Sequence, residues 1–469
     1  MKNKEEKFDL LIIGGGPAGY TGAIRAAQLG LKVVCVEKRA TLGGTCLNEG
    51  CIPSKALLNY SEKYEEAKHH FVDIGIEVDA KLNLGKMLGK KNQVVADLCK
   101  GIEGLFLKNK ITKLQGDAKI IGPEEVEIKS SSQETQIIKT KKILIATGSE
   151  VLTIPGVNID GKNIISSKEA LDINQVPSSL VVIGGGYIGL ELGSVWRRLG
   201  ARVTVIEYFS RIVPAMDTEV SDALHKILLK QGMNFIFDTK VAECASSDSG
   251  VILKLEDKSG NKSEVTTDKV LLSTGRKPYT ENLGLENVGI KANERGRIPV
   301  NTSFQTIISN IYAVGDVIEG PMLAHKAEEE AVAAVEIMAG FAGHVNYKVI
   351  PSVVYTSPEV ASVGLTEDEL KKQGREYKVG KFPFLANSRA RAVGHTEGFV
   401  KILADKHTDE VLGAHIIGVD AGTLIAEIAL GMEFKAAAED IARTCHAHPT
   451  LNEAVREAAL ATDKRSINF

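Results

Sequence analysis

Several things are scarce in this sequence, and each scarcity excludes something. Aromatic residues make up 5% of the 469 positions, with one tryptophan, too few for a surface that stacks successive bases. Charge of neither sign is in excess: 57 Lys and Arg against 60 Asp and Glu leave a formal net charge of -3. That gives no broad field for holding nucleic acid or an anionic membrane. Long hydrophobic runs are missing too. No stretch approaches the roughly 20 apolar residues that cross a bilayer, and Leu10–Ile13, the first apolar run, is only strand-length. Met1–Lys7 is polar and charged, without a targeting pattern, so a cytoplasmic protein is expected. The six cysteines are irregularly spaced, unlike the disulfide framework of a small secreted domain. Cys35 and Cys99 fall in apolar or helical patterns that suit buried thiols, while Cys244 and Cys445 give no pairing cue.

Glycine, by contrast, is abundant at 45 residues, and where it concentrates it does so twice. Phe8–Lys38 reads strand, glycine turn, helix, strand (FDLLIIGGGPAGYTGAIRAAQLGLKVVCVEK), and Leu180–Tyr208 repeats it (LVVIGGGYIGLELGSVWRRLGARVTVIEY). Gly14, Gly16 and Gly19 correspond to Gly184, Gly186 and Gly189, and Glu37 to Glu207, at a constant offset of 170. Each glycine has a physical reason. The first permits a tight turn, the second lets backbone approach a pyrophosphate, and the third lets helix pack on strand. The helix start then offers unpaired N–H groups and a positive dipole end to phosphate. The closing acid accepts from a ribose diol. One such fingerprint is weak evidence. Two in register, each in the required context, imply two dinucleotide sites.

Both modules later meet a short strand ending in Thr-Gly, at Lys141–Gly148 (KKILIATG) and Lys269–Gly275 (KVLLSTG), as if the chain returned to each sheet. Asn310–Asp316 (NIYAVGD) ends in Gly-Asp and is expected to complete the first site. From Ile350 the glycine turns stop. VVYTSPEVASVGLT, GFVKILAD and VLGAHIIG alternate like antiparallel strands, with a helix expected over Thr423–Arg443. A chain of this length exceeds one core, and four segments are expected: 1–150, 151–280, 281–349 and 350–469.

Gly43–Lys55 (GGTCLNEGCIPSK) follows the first module and carries Cys46 and Cys51. Five residues apart on a regular helix, their Cα atoms would lie about 8–9 Å apart. A disulfide tolerates at most about 7 Å. If they bond, the backbone must bend, and Gly50 is available for it. Pro53 suits the restart of a helix over Ser54–Tyr64. Zinc would need two further ligands, and no second cysteine pair exists. A structural disulfide does not suit a cytosolic chain. A redox pair fits both the compartment and the position.

With these motifs the chain resembles the pyridine-nucleotide disulfide oxidoreductases, in particular their dihydrolipoamide-oxidising branch, over essentially its whole length. The resemblance implies an α/β fold with two Rossmann-like three-layer dinucleotide-binding domains plus a C-terminal α+β dimerisation domain. It implies FAD on the first module, with Gly14, Gly16 and Gly19 at the pyrophosphate and Glu37 on the adenosine ribose. Ala118, in QGDAK, would contact adenine through its backbone, Asp316 the ribityl or pyrophosphate side, and Ala324, in PMLAH, the pyrimidine edge. Lys55 would lie near the flavin N5 and pair with Glu191. Read without the motif, Lys55 is a solvated helix lysine.

The second module would bind NAD through Gly184, Gly186, Gly189 and Gly275. Glu207 would accept from a free 2′-hydroxyl and repel a 2′-phosphate, and Tyr208 and Phe209 follow it where an NADP enzyme would offer arginines. In the segment His446–Glu453 (HAHPTLNE), the resemblance makes His448 the base and Glu453 its partner. Thr450-x-x-Glu453 also reads as a capping box opening the last helix, and two histidines at i and i+2 could be metal ligands, though no metal site is expected. Asn452 stands where serine is usual, and Glu49 where an apolar residue is common. A carboxylate at Glu49 is expected to disfavour thiolate formation.

The implied reaction is oxidation of protein-bound dihydrolipoamide by NAD⁺. The implied partners are a second copy in a homodimer, with the histidine supplied across it, and lipoyl-bearing proteins of 2-oxoacid dehydrogenase or glycine cleavage complexes. An NADH-dependent reductase of another disulfide is the alternative, and a non-catalytic flavin-holding scaffold is a third reading.

Overall fold

The first glycine-closed run becomes strand β1 (Phe8–Ile13) of the computed structural model, which describes residues 7–247 and 250–469. The polar start read in Met1–Lys7 lies, but for Lys7, outside the described residues. The chain divides into two units. The first holds the residues up to Ala56 together with Leu84–Leu152 and Gly275–Val345. The second holds Leu57–Asn83, Thr153–Thr274 and Asn346–Phe469.

In the first unit, β1 pairs in parallel with β2 (Val33–Glu37) on one side, Leu11 opposite Val34. On its other side it pairs with the end of the 11-residue β6 (Thr135–Ile145), Leu11 opposite Ile143. β3 (Thr112–Gln115) extends the sheet beyond β2, and the strand Ile311–Ala313 extends it beyond β6. All five residues of β2 are buried, as a parallel strand covered on both faces requires. The early half of β6 leaves this sheet and pairs antiparallel with β5 (Glu125–Lys129), which pairs with β4 (Asp117–Gly122). Helix α1 (Pro17–Gln28) buries Ala18, Gly19, Gly22, Ala23 and Ala26. These small residues admit close packing of the helix Ala324–Met338, where a Cβ on Gly22 would meet Ala331 at 3.4 Å. Arg25 ties the two helices through Glu336 at 2.6 Å.

The second unit repeats the device. A five-stranded parallel sheet runs Asn234–Ile236, Arg202–Ile206, Ser179–Ile183, Lys269–Leu272 and Ile164–Ile165. Beside it lies an antiparallel meander of Thr239–Ser247, Gly250–Asp257 and Lys262–Thr267. From Ser352 an antiparallel five-stranded sheet follows, with Val411–Gly418 and Phe399–Asp405 buried at every position between outer strands. The strand Tyr377–Pro383 joins its edge. The α/β class with two Rossmann-like sheets and a C-terminal α+β part is the fold that forms.

Three local readings differ from the structure. The helix expected over Ser54–Tyr64 is α3, Cys51–His69, because Pro53 sits within the first turn, where its missing N–H costs nothing. Its later part packs within the second unit, where the Arg198 guanidinium donates to Leu58 O at 3.3 Å. Arg276–Pro278 pairs with Ser149–Val151 and so lies in the first unit rather than with the NAD segment. The helix expected over Thr423–Arg443 is two, Ala421–Glu433 and Ala438–Arg443. Lys435 turns left-handed (φ 56°) and Ala436 N–H closes back on Gly431 O at 2.8 Å, a helix stop made without glycine.

Candidate active site

Both glycine turns are built as their spacing requires. Gly14 sits at φ +105°, where a Cβ would come within 2.4 Å of Ala146 O. A Cβ on Gly19 would lie 1.8 Å from Gly14 O, so the third glycine serves the packing of helix on turn. Gly184 and Gly189 repeat this against Ser273 O and Gly184 O, at 2.6 and 2.2 Å. The middle glycines differ in kind. Nothing lies within 4 Å of a Cβ on Gly186, and only Gly44 Cα, at 3.6 Å, near one on Gly16. Protein does not fill that space. Helix α1 and the helix Tyr187–Arg198 both begin without a side-chain cap and without an acid in the first turn, leaving N–H groups for an anion. These cradles fit a dinucleotide pyrophosphate.

The closing acids are buried and held alike. Glu37 accepts from Gly15 N–H at 2.7 Å and from Arg39 N–H at 2.9 Å. Glu207 accepts from Gly185 N–H at 2.6 Å and Phe209 N–H at 2.9 Å. One such bond per oxygen leaves each a lone pair for a ribose hydroxyl. Gly116 N–H donates to Glu37 O at 3.0 Å, which brings Ala118, in β4, beside the same strand end.

Cys46 lies in the short helix α2 (Gly44–Glu49), Cys51 opens α3, and Gly50 breaks the helical path between them with φ -145° and ψ -112°. A Cβ on Gly50 would stand 3.3 Å from Cys46 Cα. The bend that the pair needs is therefore made at the glycine expected to make it. Both cysteines are half-buried. Asn48 fastens α2 by donating to Leu42 O and Gly44 O at 3.1 and 2.9 Å. The buried thiol of Cys99, on α4 (Leu84–Lys108), donates to Leu42 O at 3.5 Å.

The surroundings of the two sulfurs are unequal. A hydrogen bond to Cys51, burial, and the charges of Cys51 and Glu328 push the Cys46 thiol far above the usual thiol range. Tyr20 on α1 donates to Glu328 at 2.9 Å. On the other side, the Arg276 guanidinium donates to Ser149 Oγ and Ser149 O at 2.7 and 2.6 Å, and Ser149 Oγ donates to Asp316 at 2.5 Å. Burial lowers the Arg276 pKa, while the charges of Asp316 and Cys51 oppose that shift. Glu49, expected to press on the thiols, is ion-paired with Arg39 at 2.9 Å; the carboxylate that raises Cys46 is Glu328.

Sequence reasoning missed Arg276, Glu328 and a fully buried ion pair, Lys326–Glu330, at 3.1 Å. That pair brackets the Gly-Asp turn: Glu330 accepts from Gly315 N–H at 2.8 Å and Lys326 donates to Gly315 O at 3.1 Å. Arg276 had a signal, since it directly follows the Thr-Gly return strand. Lys326 and Glu330 had none, because a helical i, i+4 pair reads as solvated by default.

Of the expected residues, Gly14, Gly16, Gly19, Glu37, Cys46, Cys51, Lys55, Ala118, Gly275, Asp316 and Ala324 fall in the first unit. Gly184, Gly186, Gly189, Glu191, Glu207, His448 and Glu453 fall in the second, so Lys55 and Glu191 belong to different units. Ala324 is the first residue of an uncapped 15-residue helix. Glu191 is buried and accepts from Tyr355 N–H at 3.0 Å. His448 Nδ1 lies 2.9 Å from Glu453 Oε1. Burial pushes the Glu453 carboxyl up, but the Thr450 N–H and His448 hold it below its ordinary value. The capping box is half present: Glu453 Oε2 accepts from Thr450 N–H at 2.9 Å, but the Thr450 hydroxyl donates to Ala447 O and the last helix starts at Glu453. His446 and His448 face different carboxylates, and no group of three metal-ligating side chains occurs among the described residues.

The family profile described as pyridine nucleotide-disulphide oxidoreductase matches residues 8–331, and its dimerisation domain matches residues 350–459. The mitochondrial dihydrolipoyl dehydrogenase of Pisum sativum is 53% identical, covering 99% of this chain and 93% of its own. That of Bos taurus is 55% identical, with coverages of 98% and 92%. Among solved structures, the HOCl-induced flavoprotein disulfide reductase RclA of Escherichia coli superposes with a TM-score of 0.84 at 28% identity, covering 95% of this chain and 98% of its own. Both dehydrogenases are named mitochondrial, which overturns the expectation of a cytoplasmic protein. An organelle address is a leader separate from the folded domain, so the folded sequence could not tell the compartments apart. The compartment argument against a structural disulfide falls with it, and the redox reading of Cys46 and Cys51 rests on their geometry.

Proposed function

The chain belongs to the pyridine nucleotide-disulphide oxidoreductases, and on that premise we propose that Cys46 and Cys51 cycle between dithiol and disulfide to oxidise protein-bound dihydrolipoamide for NAD⁺. The observation that carries the reading is the sulfur pair itself. Two half-buried thiols in hydrogen-bonding contact flank a helix break, in the same unit as the first dinucleotide turn. The names and identity of the relatives support the substrate.

FAD, when bound, supplies the two-electron acceptor between the sulfurs and the nicotinamide. Gly14, Gly16, Gly19 and Glu37 would hold its pyrophosphate and ribose, with Ala118, Asp316, Ala324 and Lys55 lining the rest. Gly184, Gly186, Gly189, Glu207 and Gly275 would hold NAD.

In the sulfur half of the reaction, one substrate thiolate attacks Cys46 of the disulfide. The Cys46–Cys51 bond breaks, and Cys51 leaves as a thiolate that feels the Arg276 charge. The second substrate sulfur then displaces Cys46, closing the lipoamide disulfide. The unequal surroundings suit this division, since the charge of Glu328 opposes an anion on Cys46. Because Nδ1 of His448 faces Glu453, its Nε2 is the nitrogen left to take protons from substrate thiols. His448 is 69% exposed, a ring presented outside its own fold. Together with the match to a dimerisation domain, this supports a homodimer in which each His448 serves its partner's sulfurs. Lipoyl-bearing proteins of 2-oxoacid dehydrogenase or glycine cleavage complexes are the proposed partners.

NAD⁺ reduction with dihydrolipoamide, run beside NADH oxidation with glutathione disulfide, tests the reading. A dominant dihydrolipoamide rate is expected. Dominant glutathione disulfide reduction would favour the alternative disulfide reductase, and a yellow protein inert in both assays would favour a scaffold.

A further inference from the structure

Glu427, on the helix Ala421–Glu433, has no part in the chemistry above, yet both of its carboxylate oxygens are engaged. Oε1 lies 2.6 Å from His446 Nε2, and Oε2 accepts from Asn452 Nδ2 at 2.7 Å. His446 and Asn452 stand on either side of His448 in the sequence, so one carboxylate closes the two ends of its loop. His446 is anchored at both nitrogens, with Nδ1 2.8 Å from Thr444 O, and its side chain is 5% exposed. Each ring nitrogen thus faces an oxygen of the protein, and a hydrogen bond to an ionised carboxylate is charge-assisted. His448, three-fifths or more in solvent, is held among the described residues at Nδ1 alone.

The other end of the loop tells the same story. Asn452 immediately precedes the helix Glu453–Ala461 but makes no side-chain cap there, although asparagine is a favoured capping residue. Its amide goes to Glu427 instead. A serine hydroxyl would end one atom nearer the backbone. The loop's other ties, Thr450 Oγ1 to Ala447 O, Thr450 N–H to Glu453 and Asn387 Nδ2 to Thr450 O, act on its middle and do not reach the helix Ala421–Glu433.

We propose that Glu427 is a positioning residue, which by fastening His446 and Asn452 to one helix fixes where the His448 ring is presented to the sulfurs. The inference rests on the proposed role of His448. Misplacing a proton acceptor by about 1 Å costs up to about a hundredfold in rate.

The test compares Glu427→Ala, Glu427→Gln and Asn452→Ser with the parent holoenzyme, with His448→Gln as a benchmark. Each is assayed for dihydrolipoamide oxidation across pH and for NADH oxidation by ferricyanide, which does not need the sulfur chemistry. Glu427→Ala is expected to lower kcat with dihydrolipoamide by about ten- to a hundredfold and alter its pH profile, leaving the ferricyanide rate within about twofold. Glutamine can accept from Asn452 and donate to His446, so Glu427→Gln should recover most of the loss, with Asn452→Ser in between. Parent-like dihydrolipoamide kinetics in Glu427→Ala, an equal loss in both assays, or no recovery in Glu427→Gln overturns the inference. If His448→Gln itself leaves dihydrolipoamide oxidation intact, the reading of the site fails; if only Glu427→Ala does, the positioning role alone fails.

Discussion

The two glycine modules are copies down to their hydrogen bonds, and they part company at the same place. Gly43 N–H closes on Gly15 O at 2.8 Å in the first, and Val213 N–H on Gly185 O at 2.9 Å in the second, again 170 residues apart. After the buried acid, the first module continues with Lys38 over the ring of Tyr279 at 3.9 Å and Arg39 on Glu49 at 2.9 Å. The second continues with Tyr208 and Phe209, packed edge-to-face on each other at 5.5 Å and more than half exposed. Arg211, the next cation, is turned to Thr218 and Pro214 O. Beyond the loop, the first copy places the helix of Cys46. The second places Asp217, which caps the helix Thr218–Lys230 and is bonded by the buried Lys401 at 3.0 Å. On the proposed assignment, the module with the resident dinucleotide closes its rim and adds sulfur. The module with the exchanging one keeps an open rim and adds an anchor.

The strongest way to break this comparison is at the third glycine. Gly19→Ala sets a Cβ 1.8 Å from backbone oxygen, and the expected result is protein without yellow colour or without a fold. Gly189→Ala should keep its visible absorbance and lose NAD⁺ binding, read by titration calorimetry. Loss of flavin from Gly189→Ala would mean the modules are assigned the wrong way round.

The anchor comes next. Lys401→Met leaves Asp217 buried and uncompensated, which costs about 3–5 kcal/mol, measured by denaturation, with the flavin spectrum unchanged at low temperature. Burial lowers the Lys401 pKa, but Glu367 and Asp217 raise it above the ordinary 10.5 on balance. Burial likewise opposes, but Lys371 and Lys401 outweigh, holding Glu367 down to about 2 from 4.5. The lysine's contribution is present below pH 10.5 and lost as pH rises through its raised value. The carboxylate's is present above pH 4.5 and lost as pH falls towards 2. Between those limits the Lys401→Met deficit should be flat.

Glu207→Ala carries the smallest effect. Losing a hydrogen bond to a charged acceptor costs about 1.5–3 kcal/mol, so NAD⁺ should bind about ten- to a hundredfold more weakly, with NADP⁺ gaining relative to it. An unchanged preference would remove Glu207 from that role.

How much of this was legible depended on whether a residue's role is local. The glycines, Glu37, Glu207 and the bend at Gly50 follow from sterics within a few residues, and the sequence pattern exposed them. The helix break at Lys435 did not show, because a left-handed lysine carries no sequence mark. Glu328 and Glu427 act through partners far along the chain, and nothing in their neighbours distinguishes them from solvated charges; Arg276 was marked only by its place after the Thr-Gly return strand. His446 read as the spare member of a pair and proved the more deeply held.

Replacement of either sulfur tests the central claim most directly. Cys46→Ser and Cys51→Ser should each lower dihydrolipoamide-dependent NAD⁺ reduction by about a thousandfold or more, a loss of about 4 kcal/mol, while remaining yellow and still oxidising NADH with ferricyanide. A yellow Cys46→Ser or Cys51→Ser protein that oxidises dihydrolipoamide at the parent rate would contradict the account.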